Sequence, residues 1–306
     1  MALSDFIKPG YIILAVFVVS GIYVHLRGKV RYPILRQLTS HTNITAPYNV
    51  FVYLFSSVPN KPFISLEGFP ELSLLKNNWK VIREEANELY QCGQIKVADK
   101  YNDAGFNSFF RKGWGRFYLK WYDEFLPSAV AQCPNTVELL KSIPSVYGAL
   151  FASLPPGAKL GLHRDPYAGS LRYHLGLITP NSDACSITVD GQSYSWKDGE
   201  DVLFDETYAH TAENNSDYRR IILFCDVRRP LAIPWADKIN DFVSRRLVKA
   251  SETQNREGER VGLINKAFGY VYPFRLLAKR IKKWNREVYY GLKFLLFGGL
   301  IYLLVR

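Results

Sequence analysis

Six residues between positions 163 and 220 carry groups that could act together: His163, Asp165, Arg172, His174, His210 and Arg220. His163 and Asp165 are two apart, so on an extended strand both side chains share one face while Arg164 points away. His210 follows after further strands and a loop, and can complete a set of two imidazoles and one carboxylate. Such a set covers one face of a metal ion and leaves three positions open. Non-haem Fe(II) oxygenases require this arrangement, and Mn(II) or Co(II) can occupy the same geometry. His-x-Asp alone is common by chance; its weight comes from the arginines that accompany it.

Arg220 opens the apolar run Ile221-Ile222-Leu223-Phe224. Along a strand, Arg220, Ile222 and Phe224 share one face and Arg219, Ile221 and Leu223 the other, so one arginine points into an apolar interior. A buried guanidinium needs an anion. The far carboxylate of a dicarboxylic co-substrate, held in a bidentate fork, would serve. So would a structural partner such as Asp205 or Asp226. Arg172 and His174 are again two apart, on Ser170–Gly176, and are expected to face inward, where they contact co-substrate or substrate or form a polar core pair. Asp205, Glu206 and Asn214 bracket His210, and one of them is expected to hydrogen-bond the outer nitrogen of a ligating histidine.

These residues need a scaffold of short strands. Tyr147–Leu154, Gly161–Leu162, Leu171–Leu177, Cys185–Val189, Gln192–Trp196, Asp201–Phe204 and Arg219–Val227 alternate or run apolar, separated by Pro, Gly, Asn and Asp clusters. Asp190-Gly191 between two such runs is a two-residue hairpin signal. Strands at this spacing indicate a sandwich, jelly roll or barrel. Upstream, Trp79, Ile82, Ala86 and Leu89 recur at helical spacing, so an amphipathic helix is expected over 77–90. A short helix is expected over 134–143. The aromatic-rich stretch 103–122 reads as core strands and loops or as an apolar wall beside the site. The stretch 40–62, with three prolines, reads as a loop-like bridge.

The ends have a different character. Tyr11–Leu26 is apolar apart from Ser20 and His25 and approaches the roughly 20 residues needed to span a bilayer. Arg27, Lys29, Arg31 and Arg36 follow it. Val288–Val305 carries Lys293 as its only charge and is preceded by Arg275, Lys279, Arg280, Lys282, Lys283 and Arg286. The positive-inside rule then puts both termini outside and the middle of the chain in the cytoplasm; a headgroup-level helix is the alternative for the second segment. A cleaved signal peptide fits poorly, because the basic residues follow the apolar run. The net charge of +11 is concentrated largely in the basic, aromatic stretch 255–285, which suits anionic lipid. No nucleic-acid-binding motif accompanies it. Four scattered cysteines with no Cys-x-x-Cys suit a reducing compartment and no disulfide framework.

At Pro155-Pro156-Gly157, His163, Leu171–Leu177, Gly199-Glu200, Phe204–Glu206, His210, Asn214, Arg220 and Asp226-Val227 the chain resembles the aspartyl/asparaginyl β-hydroxylase family of Fe(II)/2-oxoglutarate dioxygenases. The resemblance covers roughly 68–230. It implies a mainly β, double-stranded β-helix (jelly-roll) catalytic domain, here with flanking helices and hydrophobic membrane helices at both termini. It further implies Fe(II) held by His163, Asp165 and His210, 2-oxoglutarate held by Arg172, His174 and Arg220, and O₂ as oxidant. Animal protein-hydroxylating members lack the middle carboxylate, whereas this chain has Asp165. The two apolar ends and the stretch His25–Arg31 resemble those of bacterial members that hydroxylate carbon 2 of a secondary acyl chain of lipid A at the inner membrane. The implied partners are therefore lipid A and anionic membrane lipid, with no nucleic acid. The alternatives are an anchored protein-side-chain hydroxylase and a non-catalytic lipid-binding jelly roll. The expected organisation is an N-terminal transmembrane helix (1–30), a membrane-proximal bridge (31–67), the dioxygenase domain (68–235), a basic aromatic surface region (236–287) and a C-terminal membrane helix (288–306).

Overall fold

A computed structural model describes residues 8–98 and 103–305. The first seven residues of the expected anchor and the terminal Arg306 lie outside the described residues. The helices are α1 (Pro9–Leu26), α2 (Ile34–Leu38), α3 (Thr42–Phe55), α4 (Ser73–Asn77), α5 (Trp79–Gln91), α6 (Asn107–Phe110), α7 (Pro127–Gln132), α8 (Pro134–Lys141), α9 (Pro234–Val243), α10 (Leu263–Trp284) and α11 (Arg286–Val305). The strands are β1 (Phe63–Ile64), β2 (Gly115–Trp121), β3 (Glu124–Phe125), β4 (Val146–Leu154), β5 (Lys159–His163), β6 (Ser170–Ile178), β7 (Cys185–Val189), β8 (Gln192–Ser195), β9 (Asp201–Phe204), β10 (His210–Asn214) and β11 (Arg220–Arg228).

All strand pairs are antiparallel and form two sheets, β1-β9-β6-β11-β4-β2-β3 and β5-β10-β7-β8. Strands β4 to β11 divide between the sheets in the pattern of a jelly roll, with β4, β6, β9 and β11 facing β5, β7, β8 and β10. The catalytic domain is thus β-rich, as expected. β4 and β2 are buried at every residue. β4 accordingly reads as a nearly continuous apolar run, whereas β2 buries Arg116 and Lys120 by pairing Arg116 with Asp103 and Lys120 with the Val146 carbonyl. Asp190 and Gly191 both take positive φ (49° and 83°), which forms the tight turn between β7 and β8.

α5 lays Ile82, Ala86 and Leu89 into the core and packs against β6. Buried Glu85 on the same face accepts hydrogen bonds from the N–H groups of Asn135 and Thr136, each 2.9 Å, and so caps the start of α8. The stretch 42–55 is a helix, not a loop. It carries Pro47 inside it, but Ala46, Asn49 and Val52 form a buried stripe and α1 packs along it. Tertiary burial outweighs the poor helix propensity of its β-branched residues.

Among the described residues, α1 is the one helix long and apolar enough to cross a membrane. α11 lies against α1, but Arg286, Glu287, Lys293 and three glycines dilute its apolar character. α10 exposes Tyr270, Phe274 and Trp284 among its basic residues.

The strand that carries Arg172 and His174 also contains Gly176, where the chain comes very close to a neighbouring turn. A Cβ at 176 would lie 2.0 Å from the Lys197 carbonyl oxygen. Gly176 and the 199–200 turn are joined by two 2.9 Å backbone hydrogen bonds. Gly161 in β5 has open space around its missing Cβ. Gly176→Ala is expected to cost about 3 kcal/mol in denaturant unfolding, and Gly161→Ala less than about 0.5 kcal/mol.

Candidate metal and co-substrate site

His163 ends β5 and His210 begins β10, and the two are direct cross-strand partners. Their rings are 4.1 Å apart between centroids. Asp165 lies just beyond the end of β5, where its N–H donates to the Glu206 carbonyl at 3.0 Å and holds the carboxylate beside the rings. One donor atom from each of His163, Asp165 and His210 falls within 4.8 Å of the others. The two nitrogens and one oxygen are a donor set that suits Fe(II).

Both histidines are oriented by their own backbone. Nδ1 of His163 is 2.8 Å from the Gly161 carbonyl, and Nδ1 of His210 is 2.9 Å from the Tyr208 carbonyl. Each Nδ1 therefore carries the proton and each Nε2 presents a lone pair. The side chains expected in this role are engaged elsewhere. Asp205 pairs with Arg27 and Arg229, Glu206 with Ser170 and Arg172, and the Asn214 amide donates to the Leu154 and Tyr218 carbonyls. Burial, followed by the neighbouring His163, pushes His210 down to about 3, so it is neutral at working pH and ready to bind a cation. Burial alone would raise the Asp165 pKa. Arg172, and then the two imidazoles, outweigh it and hold Asp165 below its usual value.

Arg172 faces inward and its guanidinium is surrounded by carboxylates. It reaches Asp165 at 3.2 Å and Asp226 at 2.9 Å, and it pairs with Glu206. Asp226, one of the partners considered for Arg220, belongs to Arg172. Arg220 also faces inward and is 2% exposed. Its guanidinium lies over Trp196, 4.4 Å from the ring centroid. Its Nε has no hydrogen-bond partner, and among the described residues no carboxylate pairs with it. Burial lowers its pKa to about 10, which leaves it charged at neutral pH. His174 sits between Phe204 and Phe224, and neither ring nitrogen has a partner. Burial, then Arg220, drives its pKa well down. Arg220 and His174 thus leave unmet polar groups in the same pocket that holds the three candidate ligands.

The aromatic stretch serves as both core and wall. β2 supplies core, while Phe106, Phe109 and Trp114 line the pocket, with the Phe109 ring 4.8 Å from that of His163. Trp196, the platform under Arg220, carries no signal in sequence, because an isolated tryptophan at a strand end looks like any core residue.

An inward-facing histidine–carboxylate–histidine cluster within a jelly roll defines the class: the chain belongs to the aspartyl/asparaginyl β-hydroxylase family, whose model matches residues 76–230 of the 306. Among individual proteins it is similar to the ornithine lipid ester-linked acyl 2-hydroxylase of Rhizobium tropici, 33% identical over 59% of this chain and 65% of that protein. It is also similar to human aspartate beta-hydroxylase domain-containing protein 2, 27% identical over 68% of this chain and 57% of that protein. The chain therefore spans about three-fifths of the length of these curated relatives. A prolyl-4-hydroxylase structure from Pseudomonas putida aligns over 50% of this chain at 16% identity with a TM-score of 0.34.

The folded protein refuses a proton at His174 that the unfolded chain accepts below its usual pKa of 6.5. Stability contributed by the neutral ring is therefore complete above that pH and is lost as pH falls below it. His174→Phe, which fits the same aromatic surroundings, is expected to flatten the acid limb of a stability-against-pH curve for the metal-free protein by up to about 1.4 kcal/mol per pH unit. An unchanged limb would contradict the buried neutral imidazole.

Proposed function

We propose that the protein is a membrane-anchored Fe(II)/2-oxoglutarate-dependent hydroxylase acting at carbon 2 of a secondary acyl chain of lipid A, from the cytoplasmic face of a bacterial inner membrane. The observation that carries the co-substrate reading is the buried guanidinium of Arg220. Among the described residues it has no carboxylate partner, and it sits in the pocket of the three candidate ligands. In this reading His163, Asp165 and His210 hold the metal, and Arg220 receives the far carboxylate of 2-oxoglutarate in a charge-assisted fork. His174 and Arg172 line the co-substrate pocket; Arg172 also fixes the rotamer of Asp165 through their ion pair. When bound, Fe(II) with 2-oxoglutarate and O₂ supplies the oxidation that converts a C–H bond to C–OH while the co-substrate becomes succinate and CO₂. The protein keeps both Nε2 lone pairs aimed inward through the two carbonyl contacts, and it excludes water with Phe106, Phe109 and Trp114.

Support for a lipid substrate comes from α1, from the lipid-modifying relative and from the exposed aromatic and basic residues of α10, which suit a phosphate-bearing headgroup. In this reading α11 joins α1 in the membrane. The relatives named for aspartate β-hydroxylase favour a second substrate, an aspartyl or asparaginyl side chain.

His163→Ala, Asp165→Ala and His210→Ala are each expected to abolish lipid hydroxylation while the protein stays in the membrane fraction. Full activity in all three would overturn the metal assignment. Arg220→Ala is expected to raise KM for 2-oxoglutarate about 10- to 100-fold, and Arg220→Lys will not restore it because lysine lacks the fork. Mass spectra of lipid A from cells with and without the gene should differ by one oxygen atom. No difference, alongside measurable 2-oxoglutarate turnover, would reassign the substrate to ornithine-type lipid or protein.

A further inference from the structure

The flank of a membrane helix is usually a set of exposed charges. Here the first of them is inside the protein. Arg27, the residue that follows α1, is 9% exposed. Its guanidinium reaches Asp205 at 2.6 Å, Thr207 at 2.7 Å and Asn60 at 2.9 Å, and it lies 3.9 Å from the ring centroids of both Tyr53 and Tyr208. Asp205 is wholly buried. Arg229 and Arg27 together overcome that burial and keep it ionised. Three of these five contacts, Asp205, Thr207 and Tyr208, fall on residues 205–208, the turn that delivers His210.

The next residue requires glycine. Gly28 takes φ +84°, and a Cβ there would come within 2.6 Å of an Asp190 carboxylate oxygen and 2.9 Å of the Tyr208 ring. This close approach lets the N–H groups of Lys29 and Val30 both donate to Asp190, at 2.7 and 2.8 Å. Asp190 donates its own N–H to the Ala209 carbonyl at 2.9 Å, and it follows Val189, the cross-strand partner of His210.

The same segment also grips the other half of the site. Arg164, between His163 and Asp165, is 2% exposed. It donates to the carbonyl of Val24 at 2.9 Å, the carbonyl of Val30 at 3.2 Å and the Gln37 side chain at 3.4 Å, and it lies 5.0 Å from the centroid of the Tyr32 ring. Residues 24–37 therefore touch both 163–165 and 205–210. These are the two segments that a triad must hold at a fixed separation.

We propose that the turn after the membrane helix, Arg27 to Val30, acts with Arg164 as a clasp that sets the distance of His163 and Asp165 from His210. Arg27, Gly28, Asp190 and Arg164 are positioning residues, and α1 is part of the framework of the metal centre rather than a detachable tether. The proposal rests on the reading of the triad as a metal site. Its parts touch backbone and turn residues, not the metal-facing atoms, so it predicts a change in metal affinity and geometry separate from any loss of lipid access.

The test uses the full chain in detergent, with Mn(II) affinity from titration, the visible spectrum of the Co(II)-substituted protein, and thermal unfolding of the metal-free form. Arg27→Lys keeps the charge but loses the fork, and Gly28→Ala and Arg164→Met remove one half of the clasp each. Each folded variant is expected to bind Mn(II) about tenfold more weakly and to show an altered Co(II) spectrum. Arg31→Ala removes an exposed charge from the same flank and is expected to match wild type in both. Wild-type Mn(II) affinity and Co(II) spectrum in folded Arg27→Lys and Gly28→Ala would overturn the clasp. Failure of the wild-type chain to bind Mn(II) would instead overturn the metal reading beneath it.

Discussion

The site depends on the backbone register between β5 and β10. Because side chains alternate along a strand, His163 and His210 face each other only if residue 163 pairs with residue 210; a slip of one residue would send one ring to the opposite face. Two features hold that register. β10 is paired on its other side with β7, and the ladder is irregular between His210 and Ala212, which fixes where the regular pairing begins. The carbonyls that orient the two rings, Gly161 and Tyr208, belong to the same two segments. Ligand spacing, ring orientation and tautomer thus all follow from one stretch of hydrogen-bonded backbone.

Three buried arginines surround this ladder, and each satisfies its charge differently. Arg172 is surrounded by carboxylates. Arg164 donates through its terminal nitrogens to carbonyl oxygens and an amide, while its Nε has no partner. Arg220 rests on the face of Trp196 and, among the described residues, has no carboxylate partner. Burying an unpaired guanidinium is costly, and the fold could have removed that cost with one acidic residue on the facing strand. Leaving it unpaired keeps positive charge on the wall of the pocket that also holds His163, Asp165 and His210, a place that suits the carboxylate of a ligand.

Much of this was legible in the sequence wherever side-chain periodicity carries the information. The strands from 146 to 228, the Asp190-Gly191 turn, the amphipathic stripe of α5 and the inward set of Arg172, His174 and Arg220 all follow from alternation or helical spacing. What could not be read depends on partners rather than periods. Asp226 turned out to serve Arg172, because which of two inward arginines meets a given carboxylate is decided by register across the sheet. The outer nitrogens of the histidines are held by carbonyls, which every residue has and no sequence pattern marks. α3 was hidden by Pro47 and by β-branched residues whose helical state comes from packing on α1. Arg27 looked like a membrane-flank charge because composition records a charge but not its burial.

The glycine at position 28 has a consequence for how this architecture can be inherited. A catalytic barrel attached to its anchor by a loose linker can be recombined freely with other anchors, since the join carries no information. Here the join passes within contact distance of Asp190 and Tyr208 and tolerates no side chain. A recombination point placed anywhere between Val24 and Gln37 would separate residues that fit only each other. The heritable module is therefore helix, turn and barrel together, and its natural boundary lies inside the apolar helix, upstream of Val24.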